Sequence, residues 1–215
     1  MPYSQPPFGD QYTVPCKPPY GGNPLKEFSS DRIIELKTPL SIEDIINLRS
    51  GNRISISGYI YTARDTAHKR LMELIKSDRE LPFPLKGQVI YYVGPSPAPP
   101  GRVIGSAGPT TSYRMDPYTP KLLEMGLKGM IGKGRRSDAV REAMVRYRAI
   151  YMAATGGAGA LISRAVREST TVAYEDLGPE AVRRLKVERF PAIVVNDILG
   201  NDLYEKGQKQ YQILS

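Results

Sequence analysis

The sequence predicts an α/β domain, a largely parallel or mixed sheet covered by helices, and three observations predict it. Strand-like and amphipathic helix-like runs alternate through the second half of the chain, as expected when strands are joined through covering helices. The chain has 215 residues and 40% hydrophobic content, enough for a sizeable core without a disulfide or metal staple. It contains no internal repeat, which sets solenoids and propellers aside.

The elements follow in order. Residues 1–28 stand apart. Seven prolines with Tyr3, Phe8, Tyr12, Tyr20 and Phe28 read as an extended arm, either a solvated tail or a wrap around a partner subunit. The domain proper is expected over 29–215. In "SIEDIINLRSG" (41–51), Ser41 caps a helix, Asp44 follows three positions on, and Gly51 stops it. "RISISGYIYT" (53–62) alternates and is β-rich, so it is a strand. The helix expected over 63–77 aligns Ala67, Leu71, Leu74 and Ile75 on one face. Strands are expected over 87–94 and 101–108, then a short helix in "PKLLEMG" and a short strand in "GMIGKG" (129–134). An amphipathic helix over 137–148 leads to the strand "AIYMAAT" and to a glycine turn feeding a helix over 156–168. "TTVAYED" is a strand, and "GPEAVRRLKVE" a helix with Pro179 at its first position. "PAIVVND" is a strand, followed by a β-rich tail to Ser215.

Composition limits the function. No apolar run reaches about 18 residues, so no transmembrane helix is expected. The N-terminus lacks the basic and apolar regions of a signal peptide, so a cytoplasmic location is expected. Cys16 is the sole cysteine and His68 the sole histidine, which leaves no Cys/His metal cluster on this chain. The net charge of +8 and pI near 9.5 suit nucleic acid, small anions or an acidic partner. A nucleic-acid-binding protein would show steeply salt-dependent affinity. Against it, the basic residues are dispersed and the densest cluster, "KGRR" (133–136), is short.

Ligand sites in α/β folds gather in the loops that follow the strands. "IGKGRRS" resembles a phosphate loop only in part, since Leu127 stands where its first glycine belongs and Gly134 follows the lysine. Lys133 there faces a carboxylate or is a solvated turn lysine. "GGAGAL" (156–161) lacks the third glycine of a dinucleotide fingerprint and reads as a packing turn. In "YTARDTAHKR", either Asp65 caps the helix beside an exposed Arg64, or Arg64 grips a carboxylate with its planar fork. His68, one turn later, reads as a packing residue. "GPTTSYRMDPYTP" (108–120) holds the densest polar run. Thr110, Thr111 and Ser112 can donate to anionic oxygens, Arg114 can pair with a carboxylate, and Asp116 can orient Arg114. With Arg64 and Lys133 this is a receptor for a small dicarboxylate, or a structural turn.

Together, "SGYIYTARDTAHKR", "LPFPLKGQVIYYVGPSPAPPG", "SAGPTTSYRMDPYTP" and "GMIGKG" resemble the C-terminal, or β-subunit, domain of class I iron–sulfur fumarate hydratases and L-tartrate dehydratases, over roughly residues 30–205. The resemblance implies a swivelling β/β/α fold. It implies a separate α subunit that holds a [4Fe–4S] cluster, in a heterodimer or heterotetramer, and a dicarboxylate substrate at the subunit interface. Carried over by motif, Arg64 and Arg114 are carboxylate clamps, Lys133 is a further anion contact, and Thr110 is at the proton-transfer position. Thr111, Asp65, Asp116 and His68 are supporting. The implied reaction is reversible hydration of fumarate to (S)-malate, by this chain only with its α subunit; the sister activity converts tartrate to oxaloacetate. A stand-alone carboxylate-binding module would instead bind fumarate or malate without any partner.

Overall fold

In the computed structural model, residues 32–154 and 159–212 are described. The proposed arm over 1–28, Cys16 and the glycines of the 156–158 turn lie outside them. The described chain is a mixed α/β structure built on one seven-stranded sheet.

Ser41 and Asp44 form a reciprocal capping box on α1 (Ile42–Ile45), each side chain taking the other's backbone N–H. Ahead of it runs β1 (Ile34–Lys37), and after it β2 (Arg53–Thr62), with the bounds that its alternation suggests. Then follow α2 (Asp65–Lys76), β3 (Val89–Tyr91), α3 (Thr119–Glu124), β4 (Gly129–Gly132), α4 (Asp138–Tyr147) and β5 (Ile150–Ala153). Strands β1 to β5 lie side by side and parallel. Strands β3, β4 and β5, buried on both faces, are continuously apolar rather than alternating. Val89 and Tyr91 enter one core, with Ile131, Ile150 and Phe190. Ile90 and Tyr92 enter the other, with Leu71, Leu122 and Met144 of the helices.

The chain ends with α5 (Gly159–Ser163), β6 (Val166–Ala173), β7 (Val182–Asn196) and α6 (Leu203–Tyr211). Strand β7 runs antiparallel to β2, β5 and β6. Because β7 pairs with both β2 and β5, the path β2–β3–β4–β5–β7 closes on itself and encloses the first core.

Four expected elements differ. Residues 101–108 form no strand: Val103 and Ile104 sit among glycines, and the segment folds back so that Ser96 N donates to Ser106 O at 3.0 Å. Of the helix expected over 156–168, the described residues form the five of α5, and Val166 already pairs with Val187. The helix expected at Pro179 is absent. Gly178 and Pro179 lie in a 3₁₀ segment (Glu175–Glu180), and residues 182–188 belong to β7. "VRRLKV" satisfies both helical and strand patterns, and pairing with two strands at once outweighs its helix propensity. Thr62 Oγ1 fixes the entry by accepting from Arg183 N at 3.0 Å and donating to Ala181 O at 3.2 Å. The expected β-rich tail is α6, capped by Asp202 Oδ1, which accepts from the N–H groups of Tyr204 and Glu205.

Among the described residues no helix is long and apolar enough to cross a membrane.

Candidate dicarboxylate site

The carboxyl ends of β2, β3 and β4 release the three loops that carry the candidate residues. Loops at the carboxyl ends of parallel strands are where α/β structures commonly place binding residues on a rigid scaffold.

Arg64 occupies the N-cap position of α2, and Asp65 is the helix's first residue rather than its cap. The Arg64 guanidinium lies against Gly94, where a Cβ would come within 3.0 Å of Nη1. Its Nη1 is 3.1 Å from Glu180 Oε1 and its Nη2 3.8 Å from Asp65 Oδ2. The other oxygen of Asp65 lies 2.9 Å from Arg114 Nε. One carboxylate therefore stands between two guanidiniums from different loops. Arg64 Nε and Asp65 Oδ2 are buried without a hydrogen-bond partner. Unsatisfied buried polar atoms are costly and infrequent, and these two adjoin the cations expected to bind anions.

Thr110 and Lys133 are joined through the backbone. Thr110 N donates to Tyr92 O at 2.8 Å, Lys133 N to Thr110 O at 3.3 Å, and Ser112 N to Lys133 O at 2.9 Å. Residues 110–112 thus extend alongside the end of β4. The half-buried hydroxyls of Thr110 and Thr111 and the exposed Lys133 ammonium have no partner among the described residues. Thr111 precedes the 3₁₀ turn (Ser112–Met115) that carries Arg114, whose side chain is 47% exposed.

Asp116 does not orient Arg114. Its Oδ1 accepts from Arg136 Nε at 2.8 Å and its Oδ2 from Ser137 N at 2.6 Å, so Asp65 is the carboxylate that holds Arg114. Arg136 was not singled out by the sequence. Its side chain is fully buried. Nη2 donates to Thr119 Oγ1 at 2.8 Å and Nη1 to Tyr92 Oη at 3.3 Å, between the rings of Tyr92 and Tyr151. Arg136 ties the loop after β3 to the loop after β4. Arg135, adjacent in sequence, is exposed, and nothing in the local pattern separates the two.

His68 is fully buried, packed against the rings of Tyr92 and Tyr118. Its Nδ1 lies 2.8 Å from Arg64 O, so Nδ1 carries the proton and donates it. Burial, aided by the Arg136 charge, lowers its pKa to about 4. The ring is therefore neutral at pH 7 and holds the Arg64 backbone. Between pH 6.5 and about 4 the unfolded chain takes up a proton that the folded chain refuses, so stability falls as pH falls. Over that window the loss is roughly 3 kcal/mol. Urea midpoints at pH 7 and pH 4.5 should converge in His68→Gln relative to the parent chain. An equal acid loss in both contradicts this.

The family described as Fumarase C-terminus matches residues 18–207. The chain is 40% identical over 156 residues to "Fumarate hydratase 1, mitochondrial" of Leishmania major, an alignment covering 72% of this chain and 28% of that protein. The same identity and coverage hold for "Fumarate hydratase class I, anaerobic" of Escherichia coli strain K12. The chain thus spans less than a third of the length of these two relatives. It is also 36% identical over 177 residues to a Methanocaldococcus jannaschii protein named, provisionally, L(+)-tartrate dehydratase subunit beta. That alignment covers 80% of this chain and 91% of the other.

Proposed function

The chain belongs to the Fumarase C-terminus family, and on that premise we propose that it is the β subunit of a two-subunit class I fumarate hydratase, supplying the half of the site that grips the substrate. The observation that carries this is the convergence of Arg64 and Arg114 on the single carboxylate of Asp65, with Lys133 and Thr110 on neighbouring loops and their side chains without a partner among the described residues. When a dianion enters, the guanidinium forks exchange part of that pairing for substrate carboxylates, a geometry for which arginine is better suited than lysine. Lys133 adds a mobile charge.

Hydration adds a hydroxyl to one alkene carbon and a proton to the other. Electron density moves onto a substrate carboxylate on the way, and fixed cations stabilise it there. Thr110 is the proposed proton-transfer residue. Its hydroxyl is a weak acid and a weak base, so it needs activation by the adjacent cations or by a carboxylate of the other subunit.

A [4Fe–4S] cluster requires several thiolates. This sequence has one cysteine, and among the described residues no three His, Cys, Asp or Glu side chains are grouped to hold a metal ion. The chain's residues do not fit the cluster, which is assigned to a separate α subunit. The proposal includes a swivelling β/β/α domain over residues 29–215, an arm before it, and a cytoplasmic location. The alignment to a protein named as a tartrate dehydratase subunit beta supports a second reading in which tartrate is the substrate.

The test uses both subunits, assembled with iron and sulfide in the absence of oxygen. Formation of (S)-malate from fumarate supports the proposal. Oxaloacetate from tartrate without action on fumarate moves the chain to the sister activity. A loaded cluster with neither reaction overturns both readings.

A further inference from the structure

We infer that Tyr151 is a positioning residue: its hydroxyl clamps the loop that carries Lys133 to the loop that carries Thr110, while the Tyr204 hydroxyl holds the Lys133 loop to α6. The catalytic consequence rests on the proposed hydratase function, whereas the clamp itself rests on geometry alone.

Tyr151 lies in β5 and is fully buried. Its Oη donates to Gly134 O at 2.9 Å and lies 2.8 Å from Ser112 Oγ. Burial raises the phenol's pKa, so it keeps its proton. A phenol has only one proton to give. With that proton directed at Gly134 O, the Ser112 hydroxyl must donate to Tyr151 Oη. The order is Ser112 O–H to Tyr151 Oη, and Tyr151 O–H to Gly134 O. From the other side, Gly134 N donates to Tyr204 Oη at 3.3 Å. Both backbone polar groups of Gly134 are therefore held by tyrosine hydroxyls, one from β5 and one from α6.

Phenylalanine would fill the same core volume without placing a hydroxyl where it costs energy unless paired. The residues held are the ones that matter for the site. Gly134 directly follows Lys133, and Ser112 stands two positions after Thr110. Neither the Thr110 hydroxyl nor the Lys133 ammonium has a partner among the described residues. Their placement therefore depends on the backbone that the clamp fixes. Two glycines make it possible. Gly134 has φ +85°, which side-chain-bearing residues seldom adopt. A Cβ on Gly132 would fall on Ser112 Oγ.

The full chain carrying Tyr151→Phe, Ser112→Ala or both is compared with the parent in two ways. In the assembled enzyme, Tyr151→Phe should lower kcat for fumarate about ten- to a hundredfold through misplacement of Thr110. KM should change far less. Ser112→Ala should lower kcat in the same direction, and the double variant should be little worse than Tyr151→Phe. A lowered midpoint with unchanged kcat would make the hydroxyl merely structural and overturn the inference. In the isolated full chain, amide exchange of the segment containing Gly134 should quicken in Tyr151→Phe and in Tyr204→Phe. Unchanged exchange overturns the clamp whatever the activity. If the parent enzyme hydrates no fumarate, the functional reading fails while the exchange result still decides the clamp.

Discussion

Replacing Arg136 with methionine should destabilise the chain by about 3–5 kcal/mol, the loss expected when one partner of a buried ion pair is removed and the other stays. The side chain is fully buried and the Asp116 side chain 10% exposed. Without the guanidinium, Asp116 retains only the N–H of Ser137. Thr119 Oγ1 still donates to Met115 O but loses the Arg136 donor at 2.8 Å and keeps only the Tyr92 hydroxyl at 3.5 Å. The rings of Tyr92 and Tyr151 lose the cation between them. Lysine should rescue only part of this, because an ammonium on a flexible stem cannot reach Asp116 and Thr119 with the fixed fork of arginine. Adding Asp116→Asn to Arg136→Met should recover stability by removing the unpaired charge. Urea titration with linear extrapolation measures all three variants. A loss below about 1 kcal/mol, at the level of an exposed pair, would show that the buried pair does not hold the two loops together.

The second large effect is on catalysis. Thr110→Ala should lower kcat/KM in the assembled enzyme by about 10²–10⁴-fold, the range for removal of a positioned proton-transfer group. The fold should be unaffected, because Thr110 is held by its N–H to Tyr92 O and by Lys133 N–H to its carbonyl. Thr110→Ser keeps a hydroxyl at the same backbone position and should retain much of the activity. Steady-state kinetics with unfolding midpoints as control separate the two effects. Alanine activity within about threefold of the parent would remove Thr110 from the proton-transfer role, since a positioned group contributes far more.

Much of the fold could be read from the sequence because its local and tertiary preferences agree. The alternation of 53–62, the capping box at Ser41 and the apolar faces of 65–76 and 138–147 each specify one element. Residues 182–188 failed for a physical reason. Their apolar spacing fits a helix and a strand, and the pairing of β7 with both β2 and β6 that decides the matter is non-local. The tail failed similarly: Asp202 marks a helix start, yet the bonds from Tyr204 to Gly134 and from Arg135 to Gln208 join α6 to a loop far away in sequence.

At the site, the sequence brought Arg64, Asp65, Arg114, Thr110 and Lys133 forward because polar residues gather after strands. It could not assign their partners. Asp116 is two residues from Arg114, yet pairs with Arg136, while Arg114 reaches back to Asp65. Near neighbours in a 3₁₀ turn point in different directions, so proximity in sequence was a poor guide. Arg136 was hidden among exposed basic residues, since its acceptors come from strands and loops elsewhere in the chain.

The most direct measurement is fumarate turnover by this chain alone, by a cluster-loaded α subunit alone, and by the two together without oxygen. Turnover confined to the mixture, and largely lost with Thr110→Ala, is the result that a shared dicarboxylate site predicts. Undiminished turnover by the α subunit alone would contradict it.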